Sequence, residues 1–509
     1  MSISRGIYSW FFKKRLDQIE YFKKHPVETQ ENVLNTLLSS GLNTSFGTEH
    51  GFDQVKSPAD FAQSVPIRDY DQLRSYVIRT LEGESNVLWP GMIKWFAKSS
   101  GTTQDRSKFL PISTAAMEEC HFQGGKDVMG LYLNHHPDGK ILDGRTLVLG
   151  GSHSINQMNE HSFYGDLSAI LTQNLPMWAE LLRTPDLKTA LHPNYEEKIE
   201  MIAQKTIDRN ITNLVGVPTW TVVLFNRVLD ITGKDHITDV WPNLELYVHG
   251  GVSFEPYREL FKKFIPNEGM SYLETYNASE GFFSMQEHSD DNGMLLMLDY
   301  GIYYEFIPME ELESESPKTI GLSDVELDKN YALVISTSSG LWRYKIGDTI
   351  KFTELNPFRI RITGRTKHFI NAFGEELIIE NAETAISKAS KKHRCTVKDF
   401  TAGPVYFDGR NKGAHEWLIE FSNEPEDFTA FMQTVDEELR ALNSDYDAKR
   451  QNDMALTFPR IRKLPADTFY NWLKHKGKLG GQHKVPRLKN DRSVLEDINF
   501  YVNHLSESQ

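Results

Sequence analysis

Three short apolar runs end directly in glycine or proline, and they restrict the possible fold more than any other feature of the chain. They are "RTLVLGG" (145–151), "ITNLVGVP" (211–218) and "LELYVHGG" (244–251), and helical patterns such as Tyr257–Phe264 follow them. Runs that are apolar along their whole length are typical of strands buried on both faces, as in parallel sheets covered by helices. Ligands of such sheets bind in loops beyond the strand ends. The sequence therefore predicts an α/β fold with ligand loops at these strand ends.

A strand-rich section follows between residues 293 and 352. The segment "GMLLMLDYGIYYEFIP" predicts a hairpin around Asp299 to Gly301. The segment "YALVISTSSGLWRYKIGDTIKF" predicts two strands around Gly340. The large part of the protein is thus expected to combine α/β layers with a β-rich section.

The N-terminal segment 7–41 predicts two helices that are separated near Pro26. The first helix has bases on one side, which allows a membrane-surface helix. Its apolar residues recur at helical spacing, which favours a helix docked on its own domain. They are Phe12, Leu16, Ile19 and Phe22. We expect docking.

The chain is too long for one compact core, because its 509 residues exceed the usual size of a single domain. A boundary is expected near 355–365, where the chain passes Pro357 and reaches a Gly-Arg pair. We predict a large N-terminal domain over residues 1–362. A smaller, mobile α+β lid domain is predicted over residues 363–509, a size that is ordinary for a domain.

Composition excludes several classes of protein. A net charge of −14 argues against a nucleic-acid groove. The two cysteines, Cys120 and Cys395, are far apart and form no metal-binding motif, which fits a reducing compartment. No run approaches the roughly 20 apolar residues of a membrane span. We expect a cytoplasmic protein, monomeric by preference, that acts on small molecules.

The segment "SSGTTQDRSK" (99–108) concentrates small and hydroxyl residues before a lysine. Such a loop can surround phosphate oxygens, with Lys108 supplying charge. The Walker spacing is absent, and on motif statistics alone an ordinary turn is the commoner explanation.

Four further segments carry chemically useful side chains, although each has a plain structural explanation. "YNASEG" (276–281) offers a strand-end carboxylate for Mg²⁺, and "RYKIGD" (343–348) offers one for a ribose. "GRTKHFINAFGEELIIENAE" (364–383) predicts a basic turn, a buried strand and an amphipathic helix. Lys484 lies in the basic segment "GQHKVPRL".

Taken in order, these segments resemble the acyl-adenylate-forming, firefly-luciferase-like superfamily. More narrowly, they resemble the plant auxin-responsive acyl-acid amido synthetases and their bacterial relatives. The resemblance implies a large N-terminal domain that binds ATP and the acid, and a smaller rotating C-terminal domain. It also implies a reaction: a carboxylic acid and ATP give an acyl-adenylate and pyrophosphate, and an amino acid amine then displaces AMP to form an amide.

The resemblance also assigns roles to individual residues. Lys108 and Lys484 would be catalytic, the latter carried in by the C-terminal domain, and Glu280 would help to hold Mg²⁺. Val217 and Trp220 would contribute to the acyl pocket. The residues implied in nucleotide binding are Ser99, Ser100, Gly101, Thr102, Thr103, Gly250, Gly251, Tyr276, Ser279, Asp348 and Arg365.

Two alternatives stay open. An acyl-CoA synthetase would use the same adenylate but pass the acyl group to coenzyme A. A non-catalytic relative would bind nucleotide without turnover. Asp105 supports the second alternative, because the phosphate loop usually has glycine there and a carboxylate repels triphosphate.

Overall fold

The structure is a computed structural model that describes residues 3–99, 108–150, 155–192, 194–312, 314–365, 369–408, 412–476 and 485–506. Its helices are α1 (Ile3–Lys24), α2 (Pro26–Gly41), α3 (Ser45–Glu49), α4 (Pro58–Ser64), α5 (Tyr70–Leu81), α6 (Gln123–His135), α7 (Leu167–Gln173), α8 (Met177–Leu182), α9 (Leu187–Ala190), α10 (Tyr195–Thr206), α11 (Pro218–Thr232), α12 (Arg258–Phe264), α13 (Ile379–Lys392), α14 (Phe428–Leu442), α15 (Ser444–Arg450), α16 (Thr468–His475) and α17 (Ser493–Ser506).

The strands are β1 (Trp95–Ser99), β2 (Lys108–Ile112), β3 (Arg145–Leu149), β4 (Asn156–Gln157), β5 (Phe163–Gly165), β6 (Arg183–Thr184), β7 (Ile211–Gly216), β8 (Leu246–Gly250), β9 (Ser271–Ala278), β10 (Gly281–Met285), β11 (Met294–Leu296), β12 (Ile302–Pro308), β13 (Asn330–Thr337), β14 (Tyr344–Leu355), β15 (Phe358–Arg365), β16 (Phe369–Ile370), β17 (Leu377–Ile378), β18 (Thr396–Val405), β19 (Ala414–Asn423) and β20 (Arg460–Leu464). The three apolar runs are β3, β7 and β8, as predicted.

One sheet of eleven strands organises the large part of the protein, in the order β12-β13-β14-β15-β11-β10-β9-β8-β7-β3-β6. From β6 to β9 the neighbouring strands run parallel, and from β9 to β12 they run antiparallel. The parallel half supplies strand ends for ligand loops. The antiparallel half supplies β14 and β15, which carry Asp348 and Arg365.

The predicted hairpin around Asp299 to Gly301 is wrong, whereas the pair around Gly340 is confirmed. Strand β11 pairs with β10 and β15, while β12 pairs with β13 at the far edge of the sheet. The segment around Asp299 therefore connects two strands, β11 and β12, that are not neighbours in the sheet. Strands β13 and β14 do pair, and Gly340 adopts a φ of 82° in the connection between them.

Two apolar cores cover the two faces of the parallel half. The first core contains Val128 of α6 and Val248 of β8 and extends to α1, where Ile19 and Phe22 are buried. Docking of the N-terminal helix is thus confirmed. None of the described helices is long and apolar enough to cross a membrane.

The second core packs α10, α11 and α12 on the opposite face and continues into the C-terminal elements. Strands β18, β19 and β20 form a separate three-stranded sheet, and α13 packs against α14 beside it. Tyr257 donates a hydrogen bond to the carbonyl of Ala372 at 2.8 Å, which links the two parts of the protein. Because β15 runs to Arg365, the large sheet extends three residues beyond the predicted boundary at 362. The division into two domains stays a prediction.

Candidate active site

A cleft of about 1440 Å³ lies where the parallel strand ends meet the antiparallel half of the sheet. Its lining brings together residues that the sequence scatters over 267 positions. The predicted site residues in this lining are Ser99, Lys108, Val217, Gly250, Gly251, Tyr276, Ser279, Glu280, Asp348 and Arg365. The cleft therefore unites segments that the sequence analysis could connect only by their order.

Asp348 is held from two sides at the cleft. It lies opposite Arg365 in the β14–β15 ladder, and Arg365 Nε donates to Asp348 Oδ1 at 2.7 Å. Tyr276 Oη donates to Asp348 Oδ2 at 2.5 Å. Burial and the adjacent Asp348 carboxylate raise the pKa of Tyr276 well above its ordinary value, so the phenol stays protonated. An ionised carboxylate offers about four acceptor positions, so Asp348 keeps acceptor capacity for a ligand.

Ser279 and Glu280 form the two-residue turn between β9 and β10, because Ala278 pairs with Gly281. The turn projects the Glu280 carboxyl into the cleft near Asp348 and Lys108. Partial burial raises the pKa of Glu280 to about 7, the Asp348 carboxylate adds to the rise, and Lys108 and Arg365 limit it. Glu280 therefore exchanges a proton near neutral pH.

Ser99 and Lys108 face each other at the ends of β1 and β2. Tyr70 fixes this pair of strands from α5, since its hydroxyl accepts the Phe109 amide at 2.8 Å. Lys108 Nζ lies 6.0 Å from the centre of the Tyr70 ring. The predicted phosphate-loop residues Ser100, Gly101, Thr102 and Thr103, the unusual Asp105 and the predicted catalytic Lys484 lie outside the described residues.

The two glycines at the end of β8 have different roles. A Cβ on Gly250 would lie 2.5 Å from the Thr275 carbonyl, so this glycine permits close packing of β8 on β9. Gly251 has a φ of 80°, and a Cβ there would meet only Val217, at 3.5 Å. Asn371 from the C-terminal part donates to the Gly251 carbonyl at 3.0 Å. At Gly251 the turn that follows β8 therefore presents backbone without a side chain to the cleft.

Trp220 is the predicted pocket residue that the structure does not bring to the cleft. Helix α11 begins at Pro218, immediately after Val217, and turns Trp220 away into the second core. Its side chain is buried, with Lys449 Nζ 4.9 Å from the ring centre. Of the two predicted acyl-pocket residues, Val217 lines the cleft and Trp220 does not.

The part of the cleft between α6 and the sheet has mainly apolar walls. The sheet contributes Val148, Val215 and Val248, and α6 contributes Val128 and Met129. A cleft with one polar, charged end and one apolar end suits a ligand that joins a nucleotide to an apolar acid.

Sequence reasoning missed most of the other polar residues of the cleft lining, among them His249 and Asn213. His249 is buried beside Gly250, and burial lowers the pKa of its imidazole to about 3, so the ring is neutral. Asn213 is buried in the middle of β7. The available signal was a side chain with an amide or an imidazole inside a mainly apolar strand, in "ITNLVG" and in "LYVHG".

The site fits a Mg²⁺ ion that is bound mainly through phosphates. Within the described part of the chain, no three His, Cys, Asp or Glu side chains form a cluster that could hold a metal. Glu280 offers a single carboxylate in the cleft, and Mg²⁺ commonly binds one or two carboxylates together with substrate phosphates. Glu280 is thus a suitable ligand for a nucleotide-associated metal.

Comparison with known families decides among the folds that could carry such a cleft. Residues 15–270 match the GH3 family N-terminal domain, residues 295–365 its central domain and residues 380–493 its C-terminal domain. The chain belongs to the GH3 family. The resemblance to acyl-acid amido synthetases is confirmed.

Curated GH3 relatives align over most of the chain. The indole-3-acetic acid-amido synthetase GH3.8 of Oryza sativa subsp. indica is 23% identical, covering 93% of this chain and 90% of the relative. The jasmonoyl-L-amino acid synthetase JAR4 of Nicotiana attenuata is 22% identical, and the alignment covers 66% of this chain and 68% of the relative. The first is named as a synthetase of indole-3-acetic acid amides, and the second as a synthetase of jasmonoyl-L-amino acids.

Solved structures confirm the predicted fold class. The GH3.15 acyl acid amido synthetase has a TM-score of 0.59 at 17% identity and covers 96% of this chain and 95% of its own. The 2-hydroxyisobutyryl-CoA ligase has a TM-score of 0.56 at 14% identity, with coverages of 93% and 92%. The adenylate-forming fold is therefore shared by an amido synthetase and by a CoA ligase.

Proposed function

We propose that this GH3 protein is an ATP-dependent ligase that activates a carboxylic acid as an acyl-adenylate and transfers the acyl group to an amino acid amine. The observation that carries the proposal is the meeting of Lys108, Glu280, Asp348 and Arg365 at one cleft with an apolar end. The family match supports the reaction class, and the cleft lining supports the choice of residues.

Asp348 would bind the ribose of ATP. Its two oxygens are oriented by Tyr276 and Arg365, so the carboxylate is preorganised before the nucleotide arrives. Two adjacent ribose hydroxyls are donors and fill the acceptor positions that remain. Gly251, with no side chain, would allow the nucleotide to approach the backbone.

Lys108 and Glu280 would act at the phosphates. An oxygen of the acid's carboxylate attacks the α-phosphorus and pyrophosphate leaves with the bonding electrons, and Lys108 would offset the negative charge that accumulates on the phosphate oxygens. Glu280 would hold Mg²⁺, which when bound neutralises charge on the phosphate oxygens. The charge of Lys108 opposes the rise in the pKa of Glu280 and so favours its ionised form.

The second half of the reaction would use the C-terminal part. An amine nitrogen attacks the acyl carbon, AMP leaves with the bonding electrons, and the nitrogen loses a proton. Asn371, Asp445 and Asn490 line the same cleft and can meet the incoming amino acid. Lys484 stays a candidate for a lysine that enters during adenylation, through a lid-like closure of the predicted C-terminal domain.

The direct test is ATP–pyrophosphate exchange with a broad panel of aryl, indolyl and aliphatic carboxylic acids. Exchange that depends on one group of acids is the expected result. The Asp348→Asn variant, which keeps the side-chain shape, should exchange far more slowly at low ATP. Background exchange with every acid would contradict the proposal and favour the non-catalytic alternative, to which Asp105 points.

The acceptor requires a second measurement on the same enzyme. AMP release from the preformed acyl-adenylate should accelerate with one or a few free amino acids and yield an amide detectable by mass. Acceleration by coenzyme A, with a thioester product, would instead identify an acyl-CoA synthetase. Cytoplasmic location and a monomeric state belong to the proposal and stay predictions.

A further inference from the structure

One amide oxygen in the wall of the cleft is buried without a hydrogen-bond partner. Asn213 is 2% exposed, and its Oδ1 atom has no partner among the described residues. Buried acceptors in folded proteins are nearly always paired, so an unpaired one at a binding cleft indicates a missing donor. We propose that Asn213 is a specificity-determining residue that accepts a hydrogen bond from the acid substrate. This inference rests on the ligase function proposed above.

The side chain of Asn213 lies on the cleft face of the sheet. Asn213 pairs in register with Thr146 of β3 and Leu246 of β8, and all three residues line the cleft. Two positions further along β7, Val215 lines it too. The intervening Leu214 belongs to the second core on the other face. Strand alternation therefore places the amide in the apolar half of the cleft.

The orientation of the amide is fixed by the backbone. Asn213 Nδ2 donates to the Ile141 carbonyl at 3.1 Å, and a carbonyl can only accept. Thr212 Oγ1 donates to the same carbonyl at 2.9 Å from the other face of the strand. Turning the amide over would place Oδ1 against the Ile141 carbonyl, and two acceptors cannot form a hydrogen bond with each other. Oδ1 is therefore the atom left for a ligand.

The position of Asn213 indicates which part of the acid it meets. Gly216, at the carboxyl end of β7 near the nucleotide half, is three residues from Asn213, or roughly 10 Å along the strand. Between them the cleft walls are valines of β3, β7 and β8. The inferred substrate class is therefore a carboxylic acid with an apolar, ring-sized body and a neutral hydroxyl or N–H donor at the end remote from its carboxyl group.

Matched pairs of acids test the inference. The probes are 4-hydroxyphenylacetate and 4-hydroxycinnamate, each compared with its unsubstituted parent and its 4-methoxy ether. The ether keeps the oxygen but loses the donor. The readout is the ratio of kcat/KM for the hydroxy acid to kcat/KM for the parent in pyrophosphate exchange. Wild-type enzyme should favour the hydroxy acid by about tenfold or more, because a buried acceptor left unpaired penalises the parent.

Two variants separate recognition from structure. Asn213→Leu removes the acceptor and should bring the ratio to one or below. Thr212→Val removes the other hydrogen bond to Ile141 but leaves Asn213 Oδ1 in place, so the ratio should persist. Because each ratio is measured within one preparation, partial loss of folded enzyme does not change it.

A binding readout makes failure of the inference distinguishable from failure of the ligase function. Non-hydrolysable acyl-sulfamoyl adenosines of the hydroxy acid and its parent are titrated calorimetrically against the wild type and both variants. Equal ratios in wild type and Asn213→Leu, with exchange intact, would overturn the inference alone. No exchange and no binding of either analogue would overturn the ligase function and, with it, this inference.

Discussion

Tyr276 and Asp348 are joined by a hydrogen bond of 2.5 Å across the boundary between the two halves of the sheet. Tyr276 belongs to β9, the last strand of the parallel half, and Asp348 to β14 in the antiparallel half. A charge-assisted bond of this length is among the stronger hydrogen bonds in proteins. It fixes the carboxylate relative to the turn that carries Glu280.

Asp348 should be responsible for discrimination between ribose and deoxyribose. We expect wild-type enzyme to prefer ATP over 2′-deoxy-ATP and 3′-deoxy-ATP by about tenfold or more in kcat/KM, since a hydrogen bond to a charged group contributes about 1.5–3 kcal/mol. Asp348→Asn should reduce this preference to within about threefold. Tyr276→Phe keeps both carboxylate oxygens and should retain the preference. Full discrimination by Asp348→Asn would remove Asp348 from the ribose site.

Mg²⁺ affinity should depend on pH through Glu280. The pKa of this carboxyl is raised from 4.5 to about 7, so a proton competes with the metal below pH 7 and is lost above it. Between pH 6 and pH 8 the ionised fraction rises about tenfold, and the Mg²⁺ concentration for half-maximal exchange should fall by a similar factor. Glu280→Gln should need more Mg²⁺ at every pH and show a flat profile. An unchanged pH profile in this variant would exclude Glu280 as the ligand.

Gly251 should be required for nucleotide binding and not only for backbone conformation. Gly251→Ala places a side chain at a φ of 80°, and Gly233→Ala does the same at a φ of 64° at the end of α11. Both should lower stability by about 1 kcal/mol. A methyl group on Gly251 also enters the cleft and should raise KM for ATP by about tenfold. A similar KM in both variants would show that Gly251 matters only for the turn.

Arg343 should contribute far more to stability than surface ion pairs do. It contacts the buried Glu305 carboxylate and the carbonyls of Ala62 and Val65, which join α4 to the antiparallel half. Arg343→Met leaves the buried Glu305 without its cationic partner, although Thr319 still donates to it, and should cost about 3–5 kcal/mol. Lys329→Ala breaks an exposed pair with Glu326 and should cost under about 1 kcal/mol. Urea midpoints of the first unfolding transition would measure both, and equal shifts would contradict the prediction.

The sequence predicted the parts of the site that depend on local chain properties. The ends of β7 and β8 and the position of Glu280 follow from apolar runs, glycines and motif spacing, which act over a few residues. The prediction of Asp348 as a strand-end carboxylate is wrong, because β14 continues to Leu355 and Asp348 lies inside it, paired with Arg365. Its bond to Tyr276 could not be predicted either, since it needs the strand order. Pairing of distant strands is a property of the whole fold.

The remaining differences have the same origin. The segment around Asp299 has the composition of a hairpin, but β11 pairs with β10 and β15 instead of with β12. Trp220 follows Val217 closely in sequence, yet the first turn of α11 directs Trp220 into the second core while Val217 stays at the cleft. Asn213 was not among the predicted site residues, and only the register with β3 and β8 shows that it faces the cleft.

Arg365 is shared between two carboxylates, Asp348 at 2.7 Å and Glu376 at 3.5 Å. Asp348 belongs to the large sheet, whereas Glu376 belongs to the segment that leads into α13. A rotation of the C-terminal part would separate Glu376 from Arg365 and leave the guanidinium to Asp348 and the nucleotide. The position of the predicted lid domain and the charge of the proposed ribose site would then be thermodynamically linked: a change in one would shift the equilibrium of the other.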